Sequence, residues 1–374
     1  MKLLILTNYA NGLWLFRKEL LLSFMEDGHE VFVSVPPDEN VDKLKSLTCG
    51  KRIITMIETP FERRGNNPIK DLGLFMKYCQ LLKKIKPDMV LTYTIKPNLY
   101  GGLACRLKKI PYICNITGLG TAIENGGLLC KILLNFYKIS MKKARRVFFQ
   151  NVKNQNFMNH YGIAQNNSGL LPGSGVNLTE HAFEPYPQET EGIVFLAVIR
   201  IMKDKGIEEY LESAKTMSKR YKNLKFWLVG EYEVETVSVY KPAIQTVVDQ
   251  GIITYFGHID NVGEVMAKSH IVVHPSYHEG LSNVLLEAAA CGRPVLAGNI
   301  SGCRETFCEG KSGFGFEVKN TQSLIDAMEK ILALSMLQRR QMGESGRRWV
   351  ERRFDRNIVL QAYKDELSKC TKSS

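Results

Sequence analysis

The 374-residue chain predicts an α/β protein built from two doubly wound parallel-sheet domains. Three observations carry that expectation. Short apolar runs alternate with helical periods nearly throughout. The alternation breaks once, at a polar stretch rich in Pro and Gly, and then restarts. The length suits two or three domains at roughly 150 residues each.

In the first half, Leu3–Thr7, Glu30–Val35, Ile53–Ile57, Met89–Tyr93, Tyr112–Ile116 and Val147–Gln150 are apolar runs bounded by polar residues, Gly or Pro. Runs of this kind read as strands buried on both faces. Helical spacing fills the intervals, as in Phe16, Leu20 and Phe24. Gly173-Ser174-Gly175 and the stretch from Pro185 to Gly192 have no periodicity, so residues 176–192 are expected to link a domain over 1–175 to one over 193–352. After the break, Val194–Ile199, Lys225–Val229, Ile252–Phe256, Ile271–His274 and Pro294–Ala297 read as strands. Two such domains are expected to face each other across a cleft. The charged segment Leu337–Lys369 reads as helical, with residues 353–374 expected to pack back on the first domain.

With 44% hydrophobic and 24% charged residues, the composition excludes disorder, collagen and coiled coil. No apolar run approaches the ~18–20 residues of a membrane span, and the opening Met1–Asn8 is too short to be a signal peptide. Nine cysteines, with no C-x-x-C pair, fit a reduced, cytoplasmic setting. The net charge of +12 is uneven: residues 1–187 carry +11 and residues 188–374 only +1. The first half therefore calls for an anionic partner.

Several phosphate motifs fail on inspection. Glu309-Gly310-Lys311-Ser312 ends like a P-loop, but Glu305 stands where the leading glycine belongs. Gly118-Leu119-Gly120 and Gly313-Phe314-Gly315 lack the third glycine of a dinucleotide fingerprint. Zinc-peptidase and serine-hydrolase signatures are absent from the sequence.

The informative stretch runs from His274 to Ala288. A buried strand ends at Pro275, a loop carries Glu279 and Gly280, and a helix starts near Ser282. Its free N–H groups and positive dipole end suit an anion, and Gly280 allows close backbone approach. Glu279 and Glu287 are placed to hold hydroxyl-bearing parts of a ligand around a phosphate; the plainer reading is an N-cap and an exposed helical glutamate. Arg200 and Lys205, just past the first strand of the second domain, are placed to clamp a diphosphate.

E-x7-E at Glu279 and Glu287, the Arg200/Lys205 pair and the tail Ala290-Cys291-Gly292-Arg293-Pro294-Val295 resemble the donor half of a family 4 glycosyltransferase. The likeness includes Lys86-Pro87-Asp88 and Gly175-Val176-Asn177 and runs through most of the chain. It implies the GT-B fold, two Rossmann-like domains, and retaining transfer from a nucleotide sugar, with UDP favoured. It assigns Arg200 and Lys205 to the donor diphosphate, Glu279 to the donor sugar and Glu287 to the ribose. Gly280, Leu281, Ser282 and Asn283 would lend the loop between them, and Gly230, His258 and Ile259 would line base and ribose. Because cations occupy the place of a metal, no metal and no further cofactor are expected.

The likeness has a gap. Many relatives place a histidine after the fifth strand of the first domain, where this chain has Asn115 to Ala122. Thr117, Gly118 and Glu124, with Asn11 and Gly12 in the first loop, are the acceptor-side candidates. The same loop resembles the subgroup that elongates polyprenyl-diphosphate-linked sugars. The expected acceptor is then a polyprenyl-diphosphate-linked glycan, met at the inner face of the cell membrane. Lys131–Arg146 reads as a helix mixing bulky apolar residues with cations; Lys138, Lys142, Lys143, Arg145 and Arg146 would meet an anionic lipid surface. Other first-half cations, Arg63 and Arg64 among them, add to that charge. A core helix with a solvated basic face is the plainer alternative. Two rival functions are a nucleotide-sugar epimerase and a nucleic-acid-binding protein; no nucleic-acid module is visible, and nucleic acid is not expected as a partner.

Overall fold

The computed structural model describes residues 1–371 except 39, 63, 64, 66, 121, 122, 124 and 125. The chain forms two units, Met1–Ser174 joined by Val359–Ser374, and Gly175–Ile358.

Unit 1 contains β1 (Lys2–Leu6), β2 (Glu30–Val35), β3 (Thr48–Cys49), β4 (Arg52–Ile53), β5 (Thr55–Glu58), β6 (Met89–Tyr93), β7 (Tyr112–Ile116), β8 (Arg146–Phe149) and β9 (Ser168–Leu170). Its parallel sheet runs in the order β5-β2-β1-β6-β7-β8-β9, and β3 and β4 form a separate antiparallel pair. β6 and β7 are buried at every position, as mainly apolar central strands of a parallel sheet should be, with Thr92 and Asn115 their polar exceptions. Leu20, Leu21 and Phe24 cover one face of the sheet, together with Val359, Tyr363 and Leu367 of the last helix, Arg356–Thr371. Leu74, Tyr78, Leu134 and Tyr137 cover the other.

Three elements depart from the sequence reading. The run Ile53–Ile57 is two strands, because Arg52–Ile53 turns back onto Thr48–Cys49 while Thr55–Glu58 joins the sheet. β9 is short, contains Gly169, and offers no apolar run. The helix expected over Lys131–Arg146 spans Gly127–Met141. It stops there because Arg145 N–H already donates to Tyr112 O at 2.9 Å, which starts β8 beside β7.

Unit 2 contains β10 (Ile193–Val198), β11 (Leu224–Val229), β12 (Ile253–Tyr255), β13 (Ile271–His274), β14 (Val295–Gly298) and β15 (Gly313–Phe316). Its all-parallel order is β12-β11-β10-β13-β14-β15. β15 hides in the sequence behind its glycines. A Cβ on Gly313 would collide with the carbonyl of Val295, so the edge strand fits against β14 only with glycine there.

Residues 176–192, expected as a linker, are built into unit 2. Arg293 is fully buried and donates to Glu184 O (3.1 Å) and Pro185 O (3.0 Å) as well as Met266 O and Ala267 O. Buried Arg339 grips Glu189 through two hydrogen bonds of 2.9 and 2.6 Å. Order in this stretch comes from distant arginines and so leaves no local periodicity.

Candidate functional site

In unit 2 the chain builds outward from β10 through β11 to β12, then returns to lay β13 against the other side of β10. The strand order therefore reverses between β10 and β13, the place where ligands bind at the carboxyl ends of such sheets. The residues after these two strands form one cluster.

Past β10, one 3₁₀ turn spans Lys203–Lys205 and ends at Gly206, whose φ is +72°. A Cβ there would strike the carbonyl of Pro275, and Tyr277 N–H donates to Asp204 O at 2.9 Å. The two loops are thus locked together, which carries Lys205 to the loop after β13. Its Nζ donates to Glu279 Oε1 (2.6 Å), Ser276 Oγ (3.2 Å) and, at longer range, His278 O (3.4 Å). His274 Nε2 lies 2.9 Å from the same Oε1. Burial pushes the Glu279 carboxyl up, but the hydrogen bond and charge of His274 and the ammonium of Lys205 outweigh it and hold the group well below the usual carboxylate range.

The loop continues into a capped helix. Ser282 N–H donates to Gly302 O at 2.8 Å, and Ser282 Oγ accepts from Leu285 N–H, capping Asn283–Ala290. Gly302, at φ +88°, lies so close that a Cβ would sit 2.6 Å from Glu279 O. Leu281 buries its side chain against Leu286 and Val350, which leaves its backbone as the part available to a ligand. Glu287, half-buried on the helix, behaves oppositely to Glu279: burial raises its carboxyl, with His181 and Arg356 opposing.

The remaining donor candidates stand apart from this cluster. Arg200 follows β10 but pairs with Glu233, not with Glu279. Gly230, at φ +149°, lies where any Cβ would overlap the carbonyl of Ile199, and Tyr255 Oη donates to its carbonyl at 2.7 Å. His258 is exposed between Glu231 (3.1 Å) and Asp260 (3.5 Å), and Ile259 packs on the core beside it.

In unit 1, Asn11 and Gly12 lie in the first turn of the helix Ala10–Glu26, with Asn11 Nδ2 donating to Tyr9 Oη at 3.2 Å. Thr117 and Gly118 follow β7, and Glu124 lies outside the described residues, as do Arg63 and Arg64. Sequence motifs alone do not single out Asn115, which is buried at the end of β7. It accepts from Tyr363 Oη at 2.5 Å and donates to Thr92 O at 3.1 Å, while Asn98 Nδ2 donates to its carbonyl at 2.8 Å. A polar residue inside an otherwise apolar strand is the signal the sequence offers for it.

The basic face of unit 1 also differs from expectation. Arg145 and Arg146 are past the helix and pair with buried Glu366 at 3.8 and 3.1 Å, so they serve the fold. Lys142 and Lys143 sit exposed in the turn after the helix, and Lys138 remains exposed on it. The helices Pro68–Ile85, Gly102–Lys108 and Gly127–Met141 lie side by side over one face of the sheet. Between them they carry eight lysines and arginines and a single carboxylate, Asp71, which is buried against Lys96. They also expose Leu72 (57%), Met76 (53%), Leu107 (62%) and Ile132 (55%). No helix among the described residues is long and apolar enough to cross a membrane.

Known proteins resemble the chain in both units. The family described as glycosyl transferases group 1 matches residues 179–349, and that described as glycosyl transferase 4-like matches residues 2–151. The chain is 29% identical to the N,N'-diacetylbacillosaminyl-diphospho-undecaprenol α-1,3-N-acetylgalactosaminyltransferase of Campylobacter jejuni, over 97% of each chain. It is 24% identical to an Escherichia coli UDP-Gal:α-D-GlcNAc-diphosphoundecaprenol α-1,3-galactosyltransferase over 72% of each. Among solved structures, Anabaena HepE in complex with UDP superposes with a TM-score of 0.79 at 17% identity, covering 99% of this chain and all of the other. A sucrose-phosphate synthase from Thermosynechococcus elongatus gives 0.81 at 17% identity, covering all of both chains. The chain, a glycosyltransferase of GT-B fold, therefore belongs to the group 1, family 4-type glycosyltransferases.

Proposed function

We propose that the protein transfers a hexose or N-acetylhexosamine from a UDP-sugar, with retention, to a polyprenyl-diphosphate-linked glycan at the inner face of the cell membrane. The observation that carries the donor side is the convergence of Lys205 and Glu279 beside the capped helix Asn283–Ala290, at the point where the strand order reverses. A cation and free helical N–H groups stabilise the negative charge that builds on a departing diphosphate, the main electrostatic demand of the reaction. Arg200 joins them by exchanging Glu233 for phosphate oxygen, and the ionised Glu279 accepts hydroxyls of the sugar. These cations take the part a metal plays elsewhere, so no divalent ion is required. The acceptor side is supported by the activities of the Campylobacter and Escherichia relatives, both named for diphospho-undecaprenol-linked sugars. The three-helix face of unit 1, cationic and apolar together, suits a bilayer with anionic headgroups.

A thermal-shift panel with UDP, GDP and their sugars, followed by transfer to an undecaprenyl-diphosphate-linked sugar, tests this reading. UDP at about a hundred times its Kd is expected to raise Tm by roughly 5–10 °C. Transfer should survive EDTA, and activity restored by magnesium after EDTA would remove metal independence. Release of an epimerised nucleotide sugar without acceptor would decide for an epimerase instead.

A further inference from the structure

His274 is the last residue of β13, with a buried ring and a backbone fixed opposite Ala297 of β14. Its Nε2 and Lys205 Nζ both reach Glu279 Oε1, at 2.9 and 2.6 Å. With both donors on Oε1, Oε2 is the oxygen left to accept a hydrogen bond from a ligand. The other ring nitrogen, Nδ1, is buried with no hydrogen-bond partner among the described residues. An ionised carboxylate oxygen can only accept, so the hydrogen between Nε2 and Oε1 belongs to the ring nitrogen.

The two donors do different work. Lys205 is a point charge on a flexible four-carbon stem and attracts the carboxylate without fixing its plane. The imidazole is planar, carried on a sheet strand, and aims one N–H along one direction. Glu279 itself sits on a loop beside Gly280, so its orientation is set by what holds it. We propose that His274 is a positioning residue for donor-sugar recognition: its Nε2–H holds the Glu279 carboxylate so that Oε2 faces, and accepts from, a hydroxyl of the donor sugar.

This inference rests on the donor-site reading above, and the test separates the two. His274→Leu removes the donor while keeping bulk; His274→Gln returns an N–H of similar reach; His274→Asn offers an amide too short for Oε1. UDP lacks the sugar, so its Kd should stay within about twofold of wild type in all three variants. With the UDP-sugar, His274→Leu and His274→Asn should lose about tenfold to a hundredfold in kcat/KM, the worth of one hydrogen bond to a charged group. His274→Gln should recover most of it. In a Glu279→Gln background, His274→Leu should add little further loss. Should His274→Leu melt early, His274→Asn takes its place in both arms. Leu and Asn variants within twofold of wild type would overturn the inference. So would a Gln variant as impaired as Asn at an unchanged Tm, or a full additional loss in the Glu279→Gln background. A wild-type protein that neither binds UDP nor transfers sugar would sink the donor-site reading and this inference together.

Discussion

Two glutamates eight positions apart meet opposite fates. Glu279 is held ionised by His274 and Lys205, while Glu287 is pushed toward its neutral form by burial. The pH dependence of stability follows from the directions. The Glu279 carboxyl is lower in the folded state than in the unfolded chain, so its contribution is complete above the ordinary value of 4.5 and is lost as pH falls below it. Glu287 runs the other way: its contribution is present below 4.5 and is lost as pH rises through its elevated folded value. Melting curves between pH 3 and 7 should therefore show Glu279→Gln with a shallower acid-side loss of Tm than wild type. Glu287→Gln should gain on the order of 1 kcal/mol at pH 7, because a neutral amide escapes the cost of ionising a carboxyl that burial holds back. An acid limb unchanged by Glu279→Gln would disprove the assignment. The sequence supplied both residues and their spacing. It did not supply the difference between them, which is made by His274 and Lys205 reaching Glu279 from other elements while burial of Glu287 outweighs the opposing His181 and Arg356.

Among elements, the segment 176–192 shows how a stretch with no pattern of its own becomes fixed. Arg293 gives its guanidinium to backbone carbonyls on that stretch and on the end of the helix Val262–Lys268. Arg293→Met should destabilise unit 2 by on the order of 3 kcal/mol or more, since several buried carbonyls lose their donor together. Arg340→Met, at an exposed site paired with Glu344 one turn away, should change stability by less than about 0.5 kcal/mol. Urea unfolding of the two variants measures the contrast, and equal effects would contradict it. The same distinction explains what was legible. β6, β7 and β13 are mainly apolar runs, each with one buried polar residue, because both faces are covered, so composition reveals them. β15 and β9 carry glycine where a neighbour presses close, and the helix Gly127–Met141 ends where strand pairing begins. Close approach and pairing are set by partners far away in sequence, and no local window contains them.

For the molecule as a whole, the excess charge separates from the chemistry. The proposed reaction calls on Lys205 and Arg200 for the donor, and gives no role to the eight cations on the helices Pro68–Ile85, Gly102–Lys108 and Gly127–Met141. At about 1 kcal/mol per lysine near an anionic surface, removing four should weaken vesicle binding by a hundredfold or more. Lys77, Lys84, Lys108 and Lys138 changed together to Gln, or Leu72, Met76 and Ile132 changed together to Gln, should each release the protein from vesicles containing anionic lipid. Neither set should alter the Tm shift given by UDP. Sedimentation with such vesicles reads the outcome, and undiminished binding in both variants would return this charge to plain solvation. Arg145 and Arg146 are left out of the set, because Glu366 holds them and their loss would loosen the last helix.

That helix has a consequence for how the protein is made. Unit 2 is one uninterrupted stretch, Gly175–Ile358, whereas unit 1 closes over Val359, Tyr363 and Leu367. Synthesis runs from the amino end, and domains that emerge first usually fold first. Here the ribosome delivers the start of unit 1 early and its final piece last. The earlier-born unit must wait, with the groove for Tyr363 unfilled, until the later-born one has already been made.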